Sequence, residues 1–142
     1  MKFRLLAVVL CLTAVGACTS APAIDTKGAV SESDQRLARA FEQHESNLQV
    51  EGTGRVTRLL SDDNDGSRHQ RFIIELETGQ TILIAHNIDL APRIISLEVG
   101  DGVGFFGEYE WNPKGGTIHW THRDPNRHHT AGWIKHEGRV YQ

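Results

Sequence analysis

The chain has 142 residues, with 15 Lys and Arg against 18 Asp and Glu, and a formal net charge of −3 with histidine neutral. That length suits one domain around a modest core. The acidic balance argues against nucleic acid as a partner, because sequence-independent binding depends on neutralising phosphates.

At the N-terminus, Lys2 and Arg4 precede an apolar run from Leu5 to Val15 and then small residues. This is the layout of a secretory signal peptide over residues 1–17. Val15-Gly16-Ala17-Cys18 resembles the lipobox of bacterial lipoproteins, which implies that Cys18 becomes the acylated first residue of the mature chain. Several acyl chains on one residue exceed the two-anchor threshold for stable attachment, so the membrane is an expected partner. Thr19, rather than Asp, follows the cysteine. In enterobacterial lipoproteins, which this resembles, that implies sorting to the outer membrane, facing the periplasm. With Cys11 cleaved away and Cys18 acylated, no thiol remains for a disulfide or for nucleophilic catalysis. Residues 18–30, small and polar with Pro22 and Gly28, read as a tether, which leaves 31–142 as the globular domain.

A helix is expected over Ser31–Asn47, with Ser31 and Asp34 approximating a capping box and Leu37, Phe41, His44 and Leu48 on one stripe. From Gln49 the hydrophobic period becomes two. Strands are expected near Val50–Leu60, Arg68–Glu77, Gln80–Asn87, Val103–Trp111 and Thr117–His122. Ile88–Gly100 has room for a short helix around Ile94–Leu97, and Gly132–Gln142 for an added strand or a strap across one end, the strap being preferred. Three meandering strands, a helical connection and a hairpin give the order of an OB-fold. The fold class is therefore mainly β: an OB-fold-like five-stranded barrel with one N-terminal helix.

Alternation places Val103, Phe105, Gly107, Tyr109 and Trp111 on one face of the fourth strand and Phe106, Glu108 and Glu110 on the other. Matching apolar faces across the last hairpin sets Glu108 opposite His119 and Gly107 opposite Trp120. A two-residue turn at Thr78-Gly79 sets Arg71 opposite His86. Arg68, Arg71, His86, Glu108 and His119 are thus expected to form one outer surface. The His119 imidazole should titrate above its ordinary value beside the Glu108 carboxylate.

Eight histidines are many for this length, and five of them fall between His119 and His136. His119, His122, Asp124, His128, His129 and His136 are suitable ligand types for a divalent metal. The set taken as a candidate centre is His119, His122, Asp124, His128 and His136. His119 and His122 leave opposite faces of a strand, so they converge only if the strand ends before His122. Glu108, His119 and a loop histidine make an alternative set, with His86 a further candidate. Phe106 on a polar face and Trp133 in the C-terminal tail are candidate binding aromatics, Trp133 being expected as a lid over the barrel mouth.

Asp62-Asp63-Asn64-Asp65-Gly66 and Asn87-Ile88-Asp89-Leu90-Ala91-Pro92-Arg93 together distantly resemble the thermonuclease pattern, itself an OB-fold. In that pattern an acidic turn and an Ile-Asp-x-Pro-Glu segment hold calcium. Here Arg93 stands where the catalytic Glu would be, and the third strand has no Arg before Asn87. Phosphodiester hydrolysis then lacks a carboxylate base and an arginine clamp. A solvated acidic turn between the first two strands is the alternative. No Gly-x-Ser-x-Gly elbow, dinucleotide fingerprint or P-loop is present.

The strings Gly107-Glu108-Tyr109-Glu110-Trp111-Asn112, Lys114-Gly115-Gly116-Thr117-Ile118-His119-Trp120-Thr121-His122 and Gly132-Trp133-Ile134 with His136 resemble a family of small uncharacterised bacterial exported proteins. The resemblance implies fold and setting and no activity. The expected function is a non-catalytic OB-fold binding module in the envelope, its partner an unidentified ligand or envelope protein. A nuclease-like, metal-dependent hydrolase using the acidic turn or the histidine cluster is the alternative.

Overall fold

A computed structural model describes residues 30–142; the expected signal peptide, Cys18 and the tether before Val30 lie outside the described residues. Helix α1 (Glu32–Glu42) starts where the Ser31 hydroxyl accepts the Asp34 N–H at 3.1 Å, and Glu32 and Asp34 place negative charge on its positive end. It ends before Asn47, because His44 and Asn47 take left-handed φ values of 57° and 61° and turn the chain into the first strand. Leu37 and Ala40 make the buried stripe, while His44 is exposed with its ring 4.2 Å from that of Trp111. Buried Asp34 accepts the Glu77 N–H at 2.9 Å, which pins the helix to one end of the sheet.

Five strands close a barrel: β1 (Leu48–Leu59), β2 (His69–Glu75), β3 (Thr81–Asn87), β4 (Gly102–Glu110) and β5 (Thr117–His119). The order β1-β2-β3-β5-β4 is completed by pairing of β4 with β1, and β3 runs parallel to β5. The long strand β1 serves two neighbours, pairing with β4 over Leu48–Arg55 and with β2 over Arg55–Leu59. Its register against β2 shifts between Val56 and Arg58, and at Gly52 a Cβ would stand 2.7 Å from the Phe105 ring. Phe72, Ile74, Ile82, Ile84, Phe105, Tyr109 and Ile118 fill the interior. The OB-like barrel with one N-terminal helix is thus the architecture, and the alternation expected along β4 holds from Val103 to Glu110.

Three local expectations are corrected. Ile88–Gly100 contains no helix. The Asn87 side chain accepts the N–H groups of Asp89 and Leu90, and buried Gln70 takes both backbone groups of Ile94, each at 2.9 Å. Side chains satisfy this backbone instead of helical bonds, while Ala91, Ile94 and Leu97 are buried and the last two join the hydrophobic core. The β2–β3 hairpin pairs Gln70 with His86 and Arg71 with Ala85. Its loop has three residues, with the Leu76 N–H on the Gln80 carbonyl and Gly79 left-handed at φ 82°, so every pair slips by one from the two-residue turn expected. The C-terminus takes the added-strand alternative and not the preferred strap: β6 (Trp133–His136) and β7 (Arg139–Tyr141) form a hairpin that extends the sheet from β4.

Among the described residues, no helix is long and apolar enough to cross a membrane.

Candidate functional site

Glu108 and Glu110 leave the outer face of β4 two residues apart, and His119 of β5 pairs directly with Glu108. His119 Nε2 lies 3.7 Å from a Glu108 oxygen and 3.9 Å from a Glu110 oxygen. Both separations exceed hydrogen-bond length, and Nε2 is buried without a partner. Burial pushes the His119 imidazole below its ordinary value; Glu108 and Glu110 push it up, while His129 and His69 add to the lowering. The rise expected from Glu108 alone is therefore corrected to a net lowering, because desolvation outweighs the two carboxylates.

A fourth polar group arrives from the loop after β5. Trp120 adopts φ 53°, a left-handed conformation rare for a bulky residue, and this ends the strand at His119. Thr121 then points inward in place of Trp120, which does not pack over Gly107 as the register alone implied. The indole instead stacks on His129, with centroids 3.8 Å apart and planes 9° from parallel. His129 Nδ1 stands 3.5 Å from the second Glu108 oxygen. The Asp124 carboxylate shapes this loop by accepting the N–H groups of Asn126, His128 and His129, and those bonds hold it below the usual carboxylate range.

Beside the cluster lies an open hollow of about 300 Å³, lined by Asp63, His69, Arg71, Leu83, Ala85, Glu110, Thr117 and His119. Of the expected outer surface, the structure brings together Arg71, Glu108 and His119. Arg68 is engaged with Asp89 at 2.7 Å. His86 faces the interior and is fully buried, since the one-residue slip of the hairpin turns it inward. Its Nε2 is 3.2 Å from the Pro92 carbonyl and its Nδ1 is 2.9 Å from the Thr121 hydroxyl; burial lowers its pKa to about 4.

The set His119, His122, Asp124, His128 and His136 is not brought together. His136 sits beside Val103, towards the other end of β4, bonded to Asp101 at 2.8 Å. His122 is buried with Nδ1 on the Arg123 carbonyl, Asp124 is occupied by backbone N–H groups, and His128 is exposed. The side chains that do converge are Glu108, Glu110 and His119, with His129 against Glu108. Glu110 was legible from its shared face with Glu108, whereas His129 reaches the site only through the turn at Trp120.

The acidic turn is tied to arginines. Arg93 pairs with Asp62, Arg71 with Asp63 at 3.8 Å, and Arg68 with Asp89. Asp62 and Asp63 of the turn, and Asp89 beyond it, thus each face an arginine, and among the described residues the acidic turn, Asp65 included, forms no metal-holding group. Trp133 is half-buried on β6, paired with Phe106 with ring centroids 6.2 Å apart. It lies along β4 and not over the barrel mouth.

No curated protein matches the chain. The strings that carried the family resemblance all lie within residues 21–142, and over those residues the chain matches, and so belongs to, the family described as Protein of unknown function (DUF3465).

Proposed function

We propose that the chain is an exported lipoprotein of the bacterial envelope, anchored through Cys18 in the outer membrane, whose barrel is a non-catalytic binding module. The observation that supports it best is the pairing of Asp62, Asp63 and Asp89 with Arg93, Arg71 and Arg68, which removes the carboxylates a nuclease-like mechanism would use. What remains beside the barrel is a shallow hollow lined by Arg71, His69, Glu110 and His119, suited to a small polar or charged group of an envelope ligand. Palmitate labelling and membrane fractionation of wild type and Cys18→Ser test the anchoring. Label in the wild type, lost in the variant together with membrane association, supports it; an unlabelled wild type refutes it.

A second reading, a metal-dependent hydrolase, draws support from the convergence of Glu108, Glu110 and His119. Incubation with DNA and RNA, with and without zinc or calcium, separates the two readings. Cleavage that follows added metal favours the hydrolase, and intact substrate favours the binding module.

A further inference from the structure

We propose that Glu108, Glu110 and His119 form a binding site for one divalent transition-metal ion of the zinc type on the outer face of the barrel, with His129 standing against the second Glu108 oxygen. The proposal assumes neither the binding role nor the hydrolase. One oxygen from each glutamate and the His119 Nε2 all lie within 4.8 Å of one another. Tetrahedral ligands about 2.0–2.1 Å from zinc stand roughly 3.3 Å apart, so carboxylate rotation that contracts the cluster by about an ångström brings three protein donors into range and leaves the fourth position to water.

Two features point to a cation. His119 Nε2 is buried without a hydrogen-bond partner and faces two carboxylates at 3.7 and 3.9 Å, a position in which a metal ion would satisfy the nitrogen and both acids at once. The two carboxylates share one small region, and the Glu108 side chain is only 15% exposed. A divalent ion cancels that concentration of charge.

Donor chemistry selects the ion. Imidazole nitrogen with carboxylate oxygen suits zinc and its first-row neighbours, whereas calcium takes six to eight oxygens. The hollow on the Arg71 side leaves a face of the cluster open to solvent or ligand.

The test uses untagged full-length protein in detergent, stripped with EDTA and titrated with Zn²⁺ by calorimetry. Expected are one equivalent bound, no competition by Ca²⁺, and roughly tenfold or greater weakening in Glu110→Gln and in His119→Gln. His128→Gln, in the same loop with an exposed ring, should bind as wild type. Because a variant can fail to fold, the wild type is also loaded with Co²⁺ and its paramagnetic NMR broadening mapped. Broadening centred on Glu108, Glu110 and His119 supports the site. Broadening centred elsewhere, less than one equivalent of Zn²⁺, or equal loss in His128→Gln overturns it.

Discussion

His86 Nδ1 and the Thr121 hydroxyl lie 2.9 Å apart inside the barrel, while Nε2 of the same ring is 3.2 Å from the Pro92 carbonyl. A carbonyl only accepts, so Nε2 carries the proton and Nδ1 accepts from the threonine hydroxyl. The neutral ring is thereby satisfied on both sides, and burial, with His122 and His69 nearby, holds its pKa at about 4 against an ordinary 6.5. Above pH 6.5 the ring is neutral folded or unfolded, and its contribution to stability is whole. As pH falls from 6.5 towards 4, the unfolded chain takes up a proton that the folded chain refuses. The loss is roughly 3 kcal/mol across that window, with no further loss from this group below it. Urea unfolding at pH 7.5, 5.5 and 4.5 measures the slope; a His86 resonance titrating near 6.5 would remove its cause.

Thr121→Val keeps the volume and leaves His86 Nδ1 buried without a donor. The expected cost is about 1–3 kcal/mol at neutral pH. A thermal midpoint equal to that of wild type would show that the hydroxyl contributes nothing.

Gln70 fastens the loop between β3 and β4 with two bonds to Ile94, each at 2.9 Å. Gln70→Leu strands a buried N–H and a buried carbonyl together, for roughly 2–4 kcal/mol. Hydrogen exchange at the Ile94 amide should speed up selectively. Uniform exchange across the barrel would indicate global destabilisation in its place.

At Gly107 an added Cβ would collide with the His119 backbone carbonyl and come within 2.9 Å of methyl groups of Ile118 and Thr121. Gly107→Ala should therefore cost about 1–3 kcal/mol and pry β5 from β4, separating Glu108 from His119. At Gly104 the nearest atom to a Cβ is a Trp133 ring carbon at 3.4 Å, so Gly104→Ala serves as the tolerated comparison. Nuclear Overhauser contacts between β4 and β5 read the difference, and their survival in Gly107→Ala would refute the packing argument.

Calcium at millimolar concentration should leave the melting temperature unchanged, because Asp62, Asp63 and Asp89 already face arginines. Arg93→Ala removes an exposed partner and should cost under about 1 kcal/mol. A calcium-dependent rise in melting temperature would reopen the acidic turn as a cation site.

Local chemistry determined much of what the sequence revealed. Ser31 signals a helix start because its hydroxyl meets an N–H three residues on. Alternation along Val103–Glu110 fixes which side chains face inward, and matching apolar faces sets Glu108 against His119. Each depends on neighbours in the chain or on one hairpin. Tertiary structure decided the rest. Whether the β2–β3 turn has two residues or three hangs on the backbone at Gly79, and that one residue moves His86 from the surface to the core. The left-handed turn at Trp120, the arrival of His129 and the burial of His119 arise where the loop after β5 folds back on the sheet. Desolvation belongs to that packing and leaves no periodic trace in the sequence, so the direction in which His119 titrates was decided only by the fold.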